Sequence, residues 1–144
     1  NFGNGVTCGA AGSSVIGDLT TDNFATSTIK VEPPVTLNLN VFLEGYFDGT
    51  SAMAEVMLNQ NYLPTPAAGD VDNITVELRD PNDYSVVASV TDILHTDGMM
   101  NVSLPANVLG NSYYIVVHHE NSIETWSKLP VLLNSGANSY SFKN

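Results

Sequence analysis

A chain of 144 residues is the size of one domain, and a hydrophobic fraction of 43% is enough for a packed core. Four Lys or Arg against fifteen Asp or Glu give a formal net charge of -11, which argues against nucleic acid and anionic membranes as partners, because both are bound by clustered cations. The single cysteine, Cys8, excludes an intramolecular disulfide and a zinc site built on cysteines.

The N-terminal segment differs in composition from the rest of the chain. Residues 1–27 are rich in Gly, Ala, Ser and Thr, and the run Thr28–Glu32 alternates apolar and polar side chains up to Pro33-Pro34. The sequence therefore predicts an extended arm over residues 1–34 and a globular body over residues 35–144. The chain begins with Asn rather than Met and its polar residues are mostly amides and hydroxyls, so we expect signal cleavage and an extracellular or cell-surface location.

Period-two alternation dominates the body. It is clearest in Val35–Leu43, and no segment sustains a helical period. Ala52–Leu58 fits either a strand or a helical turn, and residues 59–71 are predicted to form a loop. Further strands, separated by turn residues, are expected at 73–79, 84–90, 93–94, 100–104, 113–118, 125–133 and 139–142. About seven short strands without intervening helices predict an immunoglobulin-like antiparallel β-sandwich.

Two blocks of the body resemble a module of secreted, multidomain surface proteins of Bacteroidetes-type bacteria. The blocks are Leu39–Phe47 and Tyr113–Ser127, with a shorter likeness at Asp72–Leu78. The resemblance implies a non-catalytic surface or assembly role. In that family the module often precedes a calcium-binding, dockerin-like segment, which this sequence lacks, so the resemblance carries over no calcium site.

The histidines do not form a catalytic pattern. His118 and His119 are adjacent on a predicted strand and therefore point to opposite faces, so they cannot jointly bind one metal ion. The sequence contains no nucleophile elbow, HExxH motif, P-loop or dinucleotide fingerprint. Glu120 and Glu124 form one of many carboxylate pairs that an acidic protein offers. We therefore expect no enzymatic activity.

Calcium is the only cofactor that the sequence suggests, and the suggestion is weak. Asp70, Asp72, Asp80 and Asp83 place carboxylates in predicted loops, which suits a hard cation. None of them belongs to an EF-hand pattern. The same residues are typical of turns and caps at strand ends, and this interpretation is favoured.

Aromatic side chains offer a second type of site. Trp126, Tyr46, Tyr62 and Tyr84 are the candidate platforms on which a sugar ring could stack. A lone tryptophan in an immunoglobulin-like fold is more often part of the core, which is the expectation for Trp126. Of the pair Tyr113-Tyr114, one ring should face the core.

The arm gives the main functional hypothesis. Ordering it costs about 1–2 kcal/mol per residue in backbone entropy, and its few apolar side chains offset little of that cost. We therefore expect it to add as a strand to the open sheet edge of another copy, forming a filament or surface assembly. The expected contact residues are Val6, Cys8, Ala10, Ile29 and Val31.

The alternative hypothesis is a carbohydrate-binding or adhesive module. Three coplanar exposed aromatic rings would favour sugar binding, whereas an unpaired sheet edge beside an apolar groove would favour strand addition. For Cys8, a small buried apolar role is the simpler interpretation, and an interchain disulfide is the other.

Overall fold

The computed structural model describes residues 33–59 and 65–143, and in addition the backbone of three short strands nearer the N-terminus. In chain order the described strands are β1 (Thr7–Cys8), β2 (Ser14–Ile16), β3 (Ser27–Thr28), β4 (Val35–Asn40), β5 (Asp70–Arg79), β6 (Val86–His95), β7 (Met99–Leu104), β8 (Ser112–His118), β9 (Thr125–Trp126), β10 (Val131–Leu132) and β11 (Ala137–Ser141). A one-turn helix, α1 (Val56–Asn59), and 3₁₀ turns at Glu44–Tyr46 and Ala106–Val108 complete the described elements. In this part of the chain no helix has the length and hydrophobicity needed to cross a membrane.

The chain divides into two compact units, Asn1–Pro33 and Pro34–Asn144. In the first unit the three short strands form an antiparallel sheet in the order β1-β2-β3. Among the described residues, β1 pairs with β2 and β2 with β3 over two residue pairs each.

The second unit is a β-sandwich, as the sequence predicts. One sheet has the order β10-β8-β5-β6, with β9 also paired to β8, and the other has the order β11-β4-β7. Strands β4 and β7 occupy the positions of strands B and E of an immunoglobulin domain. Strands β5, β8 and β9 with β10 occupy those of C, F and G, and β6 occupies that of C′.

Alternating side chains explain why these segments pack as two layers. Leu37 and Leu39 on β4, and Met100, Val102 and Leu104 on β7, are buried, while their sequence neighbours face outward. The facing sheet buries a second alternating set, which consists of Ile74, Val76, Leu78, Tyr113, Ile115 and Val117. Tyr113 is thus the core member of the tyrosine pair, as expected.

Strand β11 departs from the antiparallel pattern. It pairs in parallel with β4, on the side opposite β7, where an immunoglobulin domain has its first strand. Asn138 fixes the approach to this pairing. Its side-chain amide donates to the carbonyl oxygens of Thr36, Asn134 and Gly136, and its Oδ1 accepts from the Asn134 N–H.

The segment predicted as one strand over 125–133 is divided in two. Ser127 is buried, and its hydroxyl both accepts from the Ile115 N–H and donates to the Leu129 carbonyl. The side chain thereby replaces a main-chain acceptor in the ladder, and Pro130 follows before pairing resumes at β10.

Candidate functional site

The arm residues named by the sequence lie almost entirely outside the described part. Only Cys8 falls within it, as a backbone position of β1 paired with Ser14. Val6, Ala10, Ile29 and Val31 lie outside the described residues, as does Tyr62 of the predicted sugar platform. The described features that could serve a function therefore belong to the sandwich.

The free edge of β6 is the first of these features. Strand β6 ends the order of its sheet and pairs with β5 along one side, and no other strand in residues 33–59 or 65–143 pairs with it. The stretch Tyr84–Thr91, which includes Val86–Thr91 of this strand, contains no charged residue in a chain of net charge -11. Val86 and Val87 are 49% and 38% exposed. We call Val86–Thr91 the β6 edge.

The opposite edge of the same sheet is less regular. Strands β9 and β10 have two residues each, and Ser127–Pro130 interrupts them. This edge also carries Lys128, whose backbone N–H is bonded to the Tyr140 hydroxyl. Short strands, a lysine and a proline are the devices that keep a sheet edge from pairing with another chain, although Leu129 and Leu132 are exposed here.

An aromatic cluster lies on the outer face of this sheet, on the side away from the core. We call Tyr84, Tyr114 and Trp126 the outer-face cluster. Their ring centroids are 5.8 to 6.0 Å apart, and the ring planes are inclined to one another by 38° to 74°. The Arg79 guanidinium carbon lies 5.5 Å from the centre of the Trp126 ring, within cation–π range.

Trp126 does not belong to the inter-sheet core, where it was expected. It lies directly across from Val116 on the neighbouring strand, and both side chains point to the outer face. Val116 is fully buried although it faces away from the core. The cluster therefore covers an apolar position on the outside of the sheet, which explains how a large aromatic residue is accommodated there.

Charged groups surround the cluster. Arg79 Nε donates to Glu77 Oε2 at 2.8 Å, and Trp126 Nε1 donates to Glu124. His118 lies between the two carboxylates, with Nε2 3.1 Å from Glu77 Oε2 and Nδ1 3.4 Å from Glu124 Oε2. Burial acts to raise the pKa of Glu77, but the neighbouring Arg79 and His118 outweigh it and hold that pKa below its ordinary value of 4.5.

The backbone at Tyr84 is in an unusual conformation. Its φ is 60°, the left-handed region that costs a bulky residue about 1–2 kcal/mol. The hairpin around it is tightly bonded, with the Tyr84 N–H donating to the Asp80 carbonyl and the Asp80 N–H to the Ser85 carbonyl. Arg79 also donates to the Tyr84 carbonyl oxygen at 3.3 Å. These bonds hold the exposed Tyr84 ring beside Tyr114 and Trp126.

A groove of about 670 Å³ lies at one end of the sandwich. Its apolar lining includes Val41, Leu43, Val117, Ile123 and Phe142. It adjoins β9 rather than the β6 edge, because Thr125 is one of its lining residues. The groove that would favour strand addition therefore lies beside the short edge formed by β9 and β10. It does not border the longer β6 edge.

Tyr46 lies at the rim of this groove, away from the outer-face cluster. Its hydroxyl donates to Asp72 Oδ2 at 3.2 Å, and His119 Nε2 lies 3.1 Å from the same oxygen. The Asn121 N–H donates to His119 Nδ1 at 3.2 Å, so the neutral imidazole carries its proton on Nε2 and donates it to Asp72. The contacts of Tyr46 and His119 with Asp72 hold three segments of the chain together. Tyr46 therefore has a structural role.

The four candidate calcium ligands all accept hydrogen bonds from the protein, and Asp70 and Asp72 lie on β5 rather than in the predicted loops. Asp70 accepts from the Ala67 N–H and lies 3.2 Å from His95, while Asp80 and Asp83 accept from residues two positions further along the chain. The Ser85 N–H and hydroxyl lower the pKa of Asp83. Asp80 and Asp83 therefore have turn roles, whereas Asp70 and Asp72 also contact histidines of distant segments. No group of three or more metal-ligating side chains occurs in the part of the chain that the structure describes.

The strand register explains which residues the sequence analysis missed. Arg79 lies directly opposite Tyr114, and Glu77 opposite Val116, so that Glu77, Arg79 and Tyr114 reach the outer face beside Trp126. Alternation identifies the outward positions within each strand, but only pairing shows which outward residues meet. His118 and His119 diverge, as predicted, toward Glu77 and Asp72.

Comparison of the chain with protein-family models, with curated proteins and with solved structures gives no match.

Proposed function

We propose that the chain is a non-catalytic structural module of an extracellular surface assembly, in which a neighbouring copy adds a strand to the β6 edge. The observation that carries the proposal is the charge-free run Tyr84–Thr91 at the free edge of β6, a strand that pairs on its other side with β5, in a strongly acidic chain. A sheet edge without charge or proline can pair with another chain, and the register shift at Val87 leaves Ala88–Thr91 as the regular part of this edge.

The β6 edge favours addition at the main-chain level. An added strand would form hydrogen bonds with unpaired backbone groups and would shield Val86 and Val87, the most exposed apolar residues of this strand. Elsewhere the acidic surface repels other copies. An uncharged edge on such a chain therefore restricts association to one place.

The donor in this proposal is the arm, residues 1–34, of another copy. Ile29 and Val31 alternate with polar residues in the sequence, as a strand with one buried face requires. The described residues of the arm already adopt strand conformation in β1, β2 and β3, as strand addition requires. Composition and the family resemblance support the extracellular placement.

The experiment measures molar mass by light scattering after size-exclusion chromatography over a range of protein concentrations. We expect the intact chain to assemble with rising concentration and a variant lacking residues 1–32 to remain a folded monomer. The double variant Val86→Lys with Val87→Lys should also remain monomeric, because charges on an exposed edge oppose strand pairing.

The matched control places the same two charges on the other edge, as Leu129→Lys with Leu132→Lys, at side chains that are also exposed. This variant should assemble like the parent. An intact chain that stays monomeric at every concentration, or a β6 variant that assembles as well as the control, would refute the proposal.

A further inference from the structure

Tyr84 is the most exposed member of the outer-face cluster, although its ring contacts both Tyr114 and Trp126. Trp126 covers Val116, and Arg79 pairs with Glu77 and lies over Trp126. Tyr84, by contrast, is 53% exposed and has φ 60°, a conformation that glycine or asparagine would adopt with far less strain. A strained backbone that presents a ring to solvent is typical of a ligand contact.

The charges around the cluster define the class of ligand. The Arg79 guanidinium already occupies the cation position over Trp126, so the aromatic rings are not free to enclose a cationic ligand. Glu77 and Glu124 beside the rings, with Asp83 in the adjacent hairpin, outnumber Arg79 and disfavour an anion. The chemistry that remains is a neutral molecule with an apolar face and hydroxyl groups that donate to carboxylates.

The inclination of the rings limits the shape of that ligand. Rings at 38° to 74° to one another cannot lie together on a flat crystalline surface. One ring can stack against the C–H face of a single pyranose, while Glu124, whose side chain is 41% exposed, accepts from a sugar hydroxyl.

We infer that the outer-face cluster is a binding site for a neutral, soluble polysaccharide, with Tyr84 as the stacking residue and Glu124 as a hydroxyl acceptor. The site is on the outer face of the sheet, whereas the proposed assembly uses the main-chain edge of β6. Polysaccharide binding and self-assembly can therefore be measured independently. Failure of one prediction would not imply failure of the other.

Trp126 is the only tryptophan in the chain, so its fluorescence reports directly on the site. The experiment titrates the protein with barley β-glucan, galactomannan and xyloglucan, and repeats the titration with alginate and polygalacturonate. Electrophoresis through gels that contain each polymer gives an independent measure of binding. We expect retardation and an emission change with at least one neutral polymer, no response to the acidic polymers, and no sedimentation with crystalline cellulose.

The deciding variant is Tyr84→Gly, which removes the ring and relieves the backbone. Its melting temperature should equal or exceed that of the parent, while its affinity should fall about tenfold. Tyr84→Phe should bind like the parent. Phe47→Ala removes an equally exposed ring outside the cluster and serves as the control.

Two results would overturn the inference. One is the absence of both retardation and emission change with all three neutral polymers. The other is a Tyr84→Gly variant that is folded and binds as tightly as the parent and the Phe47→Ala control.

Discussion

Glu77 connects β5 with β8 beside the outer-face cluster. Its carboxylate faces Arg79 on the same strand and His118 on the next, and its side chain is 17% exposed. Because these neighbours favour the ionised form, the pKa of Glu77 is lowered in the folded state. A lowered folded-state pKa contributes stability above the unfolded pKa, and this contribution is lost as the pH falls through the folded value.

We therefore expect Glu77→Gln to lower the free energy of unfolding by about 1 kcal/mol at pH 7 and by much less at pH 3. Urea denaturation at the two pH values measures the difference. The exposed Glu120→Gln serves as a control and should change little at either pH. If Glu77→Gln lowered the free energy of unfolding equally at pH 7 and pH 3, ionisation of Glu77 would not contribute to stability.

At the scale of elements, the turn between β6 and β7 depends on Gly98. This residue has φ +81°, and a Cβ added to it would overlap the Phe42 ring. Its N–H donates to the His95 carbonyl, and its carbonyl accepts from the Val41 N–H. The turn thus joins the end of β6 to the segment that follows β4.

Gly98→Ala should destabilise the sandwich by about 3 kcal/mol, because it combines an unfavourable φ with overpacking. Gly110 has φ +80° with open space around its Cβ position, so Gly110→Ala should cost only about 1 kcal/mol. Thermal and urea denaturation of both variants separates the two effects. Equal losses would contradict the predicted overlap with Phe42.

The parallel pairing of β11 with β4 depends on Asn138. Removing its side chain leaves the carbonyl groups of Thr36 and Asn134 without this donor. We expect Asn138→Ala to lower the free energy of unfolding by about 2–3 kcal/mol. Denaturation of Ser139→Ala, at the exposed neighbouring position, should show almost no change, and a similarly small effect at Asn138 would contradict this role.

The elements also show how far the sequence could predict the fold. Alternation gave β4, β5, β7 and β8, because each has one buried face. It did not give the parallel placement of β11 or the break between β9 and β10, since both depend on hydrogen bonds between distant segments. For the same reason the sequence predicts a core position for Trp126 and does not identify Arg79 and Tyr114 as its neighbours.

For the whole molecule, charge should control association. A net charge of -11 repels approaching copies over a distance that salt shortens. If copies associate through an uncharged edge, raising NaCl from about 20 mM to about 300 mM should strengthen assembly. The added salt screens the repulsion between the acidic copies, and the uncharged contact between them contains no ion pair for salt to weaken. Light scattering at the two salt concentrations measures this, and dissociation by salt would indicate a contact made by ion pairs.

The account as a whole depends on a strand of one copy occupying the β6 edge of another. Hydrogen–deuterium exchange of the backbone amides in Val86–Thr91 tests this most directly. The exchange rates are measured at low and high protein concentration, for the intact chain and for the chain lacking residues 1–32 as a reference. We predict that these amides exchange more slowly as the intact chain is concentrated and that the shortened chain shows no such change. Exchange rates at the β6 edge that are independent of concentration in the intact chain, while the protein assembles, would contradict the account.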